Sequence, residues 1–290
     1  MSVSVLGALR EGLRWTVSRN GLLLVGVFTG IGLLGSVAFD SAVASLGESM
    51  LALEGEGEVE LDEEARTLLE DDSIAPLALP IPGAAISLLL LTWLLGWVAA
   101  SVVVVRASVA DVRNGLPDDL VWRRLAAATG NELLARVAVW AMVGIGLVLF
   151  VVPGLLLAVL FVFARPGVAV EDRNGVDAMV ESVSRTKGVR LKLAGLLVSL
   201  AAIYVAVRSA GVILTAPFAF ASSLSTGLAL VSTLLSVVFV AAANVVWLAV
   251  HGRVYAQVIE DEAGADGDET GEADRPKEAD EWDDPPGVEW

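Results

Sequence analysis

The stretch LARVAVWAMVGIGLVLFVVPGLLLAVLFVFARPGVAV, residues 134–170, decides the fold of this 290-residue chain. Because a bilayer core is about 30 Å thick, a spanning helix needs about 20 apolar residues. The stretch is therefore either one overlong helix or two short helices that turn at Pro153-Gly154. Proline fixes φ and glycine tolerates positive φ, which suits a tight turn. The charges on either side of the stretch distinguish these alternatives.

Basic residues lie on both sides of this stretch. The segment Arg106–Asn131 carries four arginines, and the segment Arg165–Lys192 carries six basic residues. Basic residues in short loops collect on the cytoplasmic side of a membrane. One traverse would place the two segments on opposite sides, whereas a hairpin places them together. The sequence therefore predicts a U-turn at Pro153 and Gly154.

Six apolar stretches predict an all-α, polytopic integral membrane bundle of six transmembrane helices, within a membrane domain spanning residues 1–257. The stretches are Gly21–Leu46, Gly83–Val105, Leu134–Val152, Gly154–Val170, Leu191–Ala216 and Gly227–Val250. The first is far longer than the apolar region of a signal peptide, so we expect it to be retained. With the basic segments inside, both termini are expected in the cytoplasm of a cell-membrane protein.

Acidic residues are concentrated in two places. The loop 47–82, expected outside, holds eleven acids and one base, Arg66. Residues 258–290 hold fourteen acids and no apolar periodicity, which is typical of a disordered, solvating cytoplasmic tail. The net charge of −16, with 16 arginines and 3 lysines, suggests an extreme halophile; an ordinary protein with an acidic tail is the alternative. Such acidity argues against nucleic-acid binding.

Three inner segments have helical amphipathic patterns: Ser2–Val17, Pro117–Ala128 and Val176–Thr186. They predict cytoplasmic helices that lie on the membrane with basic residues towards the head groups. Ordinary surface helices capping the bundle are the alternative. Each segment ends near a glycine and leads into a pair of spans. The chain is therefore either three copies of one amphipathic-helix-plus-hairpin unit or a set of entry segments that look alike.

Two charges, Asp40 and Arg208, fall inside predicted spans and away from the basic segments. Both lie in the outer half of the bilayer, about 28 Å and about 21 Å beyond the inner ends of their helices at helical rise. Charges in hydrocarbon usually pair or reach water. An Asp40–Arg208 ion pair joining the first and fifth spans is one hypothesis. Separate extension of each side chain to the outer surface is the other.

The inventory of reactive residues is small. The chain has no cysteine and a single histidine, His251, so no histidine–cysteine metal cluster is expected. Nucleophile-elbow, P-loop, zinc-protease and dinucleotide-binding motifs are absent. No cofactor and no enzymatic activity are therefore expected. The expected partners are membrane lipids, with an unknown protein as a further candidate.

One recognisable pattern covers Val152–Val198. Its residues are Pro153-Gly154, Phe161, Pro166, Glu171, Gly175, Ala178, Ser182 and Gly188. The pattern resembles the membrane domain attached to glycerophosphoryl diester phosphodiesterases and a related group of six-helix proteins with a haloarchaeal branch. The resemblance implies a six-helix membrane architecture. It does not imply diesterase activity, because the soluble catalytic domain has no counterpart here.

The function expected from these features is non-catalytic support of membrane or lipid-associated processes. A transporter of a lipid-like or apolar solute, with Asp40 and Arg208 as a gate, is the alternative. A water-accessible cavity lined by Asp40, Arg208 or Asn244 would favour transport, and a dry bundle packed through small residues would favour support. A membrane-embedded enzyme ranks third.

Overall fold

The computed structural model describes residues 4–71, 74–220 and 226–273, and all regular structure within these ranges is helical. In chain order the helices are α1 (Val5–Thr16), α2 (Arg19–Gly55), α3 (Glu63–Leu69), α4 (Gly83–Val109), α5 (Asp118–Trp122), α6 (Leu125–Leu149), α7 (Val151–Leu160), α8 (Ala164–Glu171), α9 (Gly175–Arg185), α10 (Arg190–Phe220) and α11 (Thr226–Ala273).

Six elements are long and apolar enough to cross a membrane: α2, α4, α6, the pair α7–α8, α10 and α11. A helix satisfies its own backbone hydrogen bonds, which hydrocarbon requires of any spanning segment. The predicted all-α bundle with six spans is confirmed, and these helices indicate a multi-pass membrane protein. Several helices extend past the predicted spans. For example, α2 begins at Arg19, because the Ser18 hydroxyl accepts a hydrogen bond from the Gly21 N–H at 3.3 Å.

Helix α11 lies at the centre of the bundle and packs against α1, α2, α4 and α10. One core cluster joins Trp15 of α1 and Phe28 of α2 to Val245 of α11. A second joins Leu196 of α10 to Tyr255 of α11. In α4 the residues from 98 to 108 are nearly all buried, whereas most of the first half of the helix is exposed. Tight packing is thus concentrated at one end of the bundle. We call it the basic end, because it carries residues 106–131 and 165–192.

The chain reverses direction between α6 and α7. The hairpin was predicted at Pro153-Gly154, but the extended residue that breaks the helix is Phe150, with φ −155° and ψ 131°. Pro153 lies in the first turn of α7, where its missing N–H costs no helical hydrogen bond. Gly154 faces α6, since a Cβ there would approach the Leu147 nitrogen to 2.5 Å. Pro153 and Gly154 therefore stabilise the hairpin from the first turn of α7, just after the chain reverses at Phe150.

The fourth span is two helices. Residues 161–163 form a break between α7 and α8, and Pro166 lies just after it. Because Pro166 cannot donate to the carbonyl of Val162, a continuous helix is disfavoured here. The hydroxyl of Ser182 on α9 fills the break. It accepts from the Phe163 N–H at 3.0 Å and donates to the Leu160 carbonyl at 2.7 Å.

Helix α1 buries Trp15 and two small residues, and leaves several large apolar residues on the surface. Ala8 and Gly12 face the bundle, whereas Leu6, Leu13 and Val17 are exposed, Leu6 by 81%. Most of the apolar side predicted for the first segment is therefore exposed, although Leu9 packs against the core.

Helix α9 repeats this arrangement. Gly175, Ala178 and Ser182 are buried, while Val176 and Val180 are about 70% exposed. The apolar side predicted for the third segment is again the outer side. Small residues let each short helix approach the bundle closely.

The middle segment differs from its prediction over 117–128. Helix α5 has five residues, and Arg124 then adopts a left-handed conformation with φ 45°. Residues 125–128 belong to the long helix α6 instead. A short helix followed by paired spans nevertheless occurs three times along the chain, with α5 as the shortest first member. This order fits both repeated units and entry segments that look alike.

The last helix, α11, continues beyond residue 258, where the tail was predicted to begin. Helix α11 extends to Ala273, and Val258 is 1% exposed in the core cluster with Tyr255. Glu262 contacts Arg185 at 3.2 Å. Packed structure thus continues a few residues beyond the predicted boundary, because Glu262 of α11 pairs with Arg185 of α9. Residues 274–290 of the predicted tail lie outside the described residues.

Candidate functional site

The buried guanidinium of Arg106, at the end of α4, is the first component of the site. The residue is 4% exposed. Its Nε donates to the Ala169 carbonyl at 2.6 Å, and Nη1 donates to the carbonyls of Leu120 and Arg123 at 3.2 and 2.8 Å. Its Nη2 contacts Asp172 Oδ1 at 3.1 Å. A buried charge is tolerated when it is fully hydrogen-bonded, and this one joins α4, α5 and α8.

Glu132 of α6 is the second component, and it is 2% exposed. Its Oε1 accepts from Arg136 Nη2 at 2.8 Å and from Arg165 Nε at 2.6 Å. Within the described residues, its Oε2 and the nearby Thr129 hydroxyl have no hydrogen-bond partner. The pairing of Glu132 with Arg165 places the start of α6 and the start of α8 at one level. Helices α6 and α7, which connect these two residues, are therefore antiparallel.

Glu171, at the end of α8, is the third component. Its carboxylate accepts from Arg173 at 2.5 Å, from Arg185 at 2.6 Å and from the Tyr255 hydroxyl at 2.5 Å. Arg185 also donates to the Tyr255 oxygen and lies 5.4 Å from the centre of its ring. The hydrogen bond that Arg173 donates to Glu171 raises the pKa of Arg173 above its ordinary value, so Arg173 keeps its charge. These contacts connect α8, α9 and α11.

Arg253 of α11 completes the set by holding α1 in place. Its Nη2 lies 2.8 Å from Glu11 Oε2, and its Nη1 donates to the Ser108 carbonyl at 3.3 Å. We refer to the groups around Arg106, Glu132, Glu171 and Arg253 as the ionic cluster. Every member lies at the basic end, and each joins at least two helices. The ionic cluster thus brings the segments 106–131 and 165–192 together, as the hairpin prediction required.

A second group of basic residues surrounds the ionic cluster. These side chains are exposed, and none has an ion pair within the part of the chain that the structure describes. They are Arg10, Arg14, Arg19, Arg124, Lys187, Arg190 and Lys192. The paired residues are therefore internal, and the outer basic residues are available to groups outside the protein.

Asp40 and Arg208 lie near the opposite end of the bundle. Asp40 is about 31 Å from Arg19 along α2, and Arg208 is about 27 Å from Arg190 along α10, at 1.5 Å per residue. Asp40 Oδ2 accepts from the Leu77 N–H at 3.0 Å, which fastens the returning acidic loop. Arg208 is exposed. No ion pair joins the two within residues 4–71, 74–220 and 226–273, and α11 packs against both of their helices.

A cavity of about 320 Å³ lies beside Asp40, between α2, α4 and α11. Phe28, Phe39, Trp93 and Trp97 line it, and Asp40 is the one charged residue among its lining residues in the described part of the chain. Arg208 and Asn244, the other polar groups considered for a transport path, are not part of this lining.

Metal ligation has no support among the described residues, where no group of three or more histidine, cysteine or acidic side chains is arranged to hold an ion. His251 lies within α11, and its Nδ1 is 2.8 Å from the Trp247 carbonyl. His251 therefore has its polar contact within its own helix.

Residues 3–257 match a family described as a domain of unknown function, DUF7847. The chain belongs to this family. The match covers the first five spans in full and the sixth as far as residue 257, and it includes Arg106, Glu132, Glu171 and Arg253. No curated protein and no solved structure matches the chain.

The sequence pattern at 152–198 coincides with residues that have structural roles at the basic end. Glu171 belongs to the ionic cluster, and Ser182 fills the break in the fourth span. Gly175 lies against α6, since a Cβ there would approach the Asn131 carbonyl to 2.9 Å. Gly188 has a φ of 82°. Sequence reasoning did not single out Arg106 or Glu132, although a lone charge next to a long apolar run is the signal that identifies them.

Proposed function

We propose that this DUF7847 protein is a non-catalytic integral membrane protein that supports membrane or lipid-associated processes through its basic end. The observation that carries the proposal is the pairing of exposed basic residues with exposed large apolar residues on one short helix, α1. In α1, Arg10 and Arg14 flank Leu6 and Leu13. This arrangement suits a helix lying at the boundary between head groups and acyl chains.

The ionic cluster supports this role because it makes the basic end rigid. Its arginines pair with internal carboxylates and backbone carbonyls, so they are already occupied. The outer basic residues have no such partners and suit anionic lipid head groups, which attract juxtamembrane bases. On this proposal the basic end faces the cytoplasm, in accord with the preference of basic residues for that side.

Lipid retention tests the proposal. Purified protein is equilibrated with phosphatidylglycerol and phosphatidylcholine, and retained lipids are counted by native mass spectrometry. We expect preference for phosphatidylglycerol. A variant combining Arg10→Gln, Arg14→Gln, Lys187→Gln and Lys192→Gln should lose most of that preference.

The control for this experiment is Arg66→Gln, which removes a basic residue at the opposite end, where Arg66 pairs with Glu54 at 2.9 Å. It should retain anionic lipid as the unaltered protein does. Equal retention of the two lipids by the unaltered protein would contradict the proposal, as would an unchanged preference in the fourfold variant.

A carrier for a lipid-like or apolar solute is the second candidate, and the cavity beside Asp40 is the observation that favours it. A carrier requires saturable uptake into proteoliposomes in addition to binding. Two finer expectations also stay predictions: halophilic origin, and kinship with the membrane domain of glycerophosphoryl diester phosphodiesterases. The family is described only as a domain of unknown function, and this description supports neither expectation.

A further inference from the structure

The cavity near the acidic loop combines aromatic rings with one carboxylate. Phe28 and Trp97 meet edge to face, with ring centroids 4.9 Å apart, and Trp93 lies 6.1 Å from Trp97. Phe39 is 64% exposed, so the cavity reaches the surface of the bundle there. The remaining lining is glycine, serine and aliphatic side chains. A ligand in this cavity would therefore contact π-faces on several sides and one acidic group.

Asp40 has an oxygen available for such a ligand. Oδ2 accepts from the Leu77 N–H, and Oδ1 has no hydrogen-bond partner in the described part of the chain. The neighbouring Ser41 hydroxyl accepts from the Leu79 N–H at 3.0 Å. The loop is thus fastened twice at the cavity, and Asp40 is held at its wall by backbone rather than by a cationic side chain.

We propose that this cavity binds a lipophilic organic cation, with the positive group beside Asp40 and the apolar body among Phe28, Trp93 and Trp97. Aromatic faces attract cations, and the attraction strengthens where water is excluded. A carboxylate at the wall of an otherwise apolar cavity favours a positive ligand over a neutral or negative one. The ligand class thus follows from the charge and the ring content of the lining together.

The acidic loop adds long-range attraction towards the same end. Residues 47–82 carry eleven acids and one base in sequence, and Leu77 and Leu79 of this segment are bonded to Asp40 and Ser41 at the cavity. A field of one sign raises the local concentration of counter-ions at the mouth of a site. Added salt screens this attraction, so the apparent affinity for the cation falls as ionic strength rises.

This inference goes beyond the support function and does not depend on it, because no residue that lines the cavity belongs to the ionic cluster or to the exposed basic residues around it. It also deepens the carrier candidate by naming a ligand class. Binding and uptake are measured separately, so failure of transport would leave the binding result intact.

The test uses radiolabelled tetraphenylphosphonium and equilibrium dialysis against the full chain in nanodiscs, with empty nanodiscs subtracted. We expect saturable binding at one site per protein. Tetraphenylborate has the same shape and the opposite charge, and it should show no saturable binding. Asp40→Asn keeps an acceptor for Leu77 but removes the charge, and it should weaken cation binding about tenfold or more.

Two further variants distinguish the effect of the Asp40 charge from the effect of the cavity volume. Glu48→Gln removes an acidic group from an exposed position on the same helix, outside the cavity, and should change binding less than twofold. Ser36→Leu keeps Asp40 but fills the cavity, and should abolish binding. Unchanged binding in Asp40→Asn, or equal binding of tetraphenylborate, would overturn the proposal. Circular dichroism establishes whether each variant is folded. If Asp40→Asn does not fold, the binding measured with Ser36→Leu tests the proposal instead.

Discussion

At the scale of single residues, Ser182 shows how one hydroxyl stabilises a broken membrane helix. Its oxygen interacts with the Phe163 N–H and the Leu160 carbonyl, which the break between α7 and α8 leaves outside the helical pattern. Ser182 is 1% exposed, so water does not replace it easily. A buried backbone group without a partner costs free energy comparable to its lost hydration.

Replacing Ser182 by alanine therefore has a definite expected result. Ser182→Ala leaves one N–H and one carbonyl unsatisfied, and we expect the free energy of unfolding to fall by about 1–3 kcal/mol. Thermal unfolding in one fixed detergent measures the loss, and hydrogen exchange at the Phe163 amide should accelerate.

Ser184 provides the matched control, because it lies on the same helix, is exposed and bonds only the Glu181 carbonyl of that helix. Ser184→Ala should unfold with the unaltered midpoint. If Ser182→Ala kept both the midpoint and a slow Phe163 amide, the break would have to be stabilised by other contacts.

At the scale of helices, the docking of α1 on α11 depends on a close backbone approach. A Cβ at Gly12 would lie 2.5 Å from Val250 Cγ2 and 2.8 Å from Val250 Cα. The second contact is with backbone, so rotation of a side chain cannot relieve it. Arg253 and Glu11 connect the same two helices by an ion pair. A close backbone approach and an ion pair thus both join α1 to α11.

We therefore predict that Gly12→Ala displaces α1 from the bundle. Because the chain has no cysteine, Ala8→Cys introduces a unique thiol at a site that is 0% exposed. In this background, Gly12→Ala should raise the rate of maleimide labelling at least several-fold. Gly30→Ala, where an added Cβ meets nothing within 4 Å, should leave the rate unchanged. Equal rates in all three proteins would show that α1 tolerates the added methyl group.

The helices were more predictable from sequence than their contacts. Long apolar runs must form helices in lipid, so the spans and the hairpin followed from composition and from the side preference of arginine. The reversal at Phe150 was missed, because a proline in the first helical turn looks the same in sequence as a proline in the turn itself.

Most contacts of the ionic cluster could not be predicted from the sequence, for a different reason. Glu132 pairs with Arg165 across 33 positions, and Arg106 bonds carbonyls of α5 and α8. Such partners are set by which helices are neighbours. The same limit explains the Asp40–Arg208 hypothesis: the two residues lie at similar depth, but depth does not reveal that α11 packs against both helices.

At the scale of the whole molecule, charge is divided between the two ends of the bundle. The basic end gathers the ionic cluster and the exposed basic residues, and the opposite end carries the acidic loop. A short loop rich in arginine crosses a membrane poorly during insertion, whereas acidic residues have little effect. The division therefore favours one orientation of the bundle.

We predict that Arg124 and Lys187 face the cytoplasm together and that the acidic loop faces outside. Both basic residues are exposed and lie on either side of the hairpin formed by α6, α7 and α8. In intact cells, a membrane-impermeant maleimide should label Glu58→Cys but neither Arg124→Cys nor Lys187→Cys. All three should react after lysis, which serves as the control for reactivity. Labelling of Arg124→Cys and Lys187→Cys from opposite sides would refute the six-span arrangement, whereas labelling of both from outside would keep the bundle and reverse its orientation.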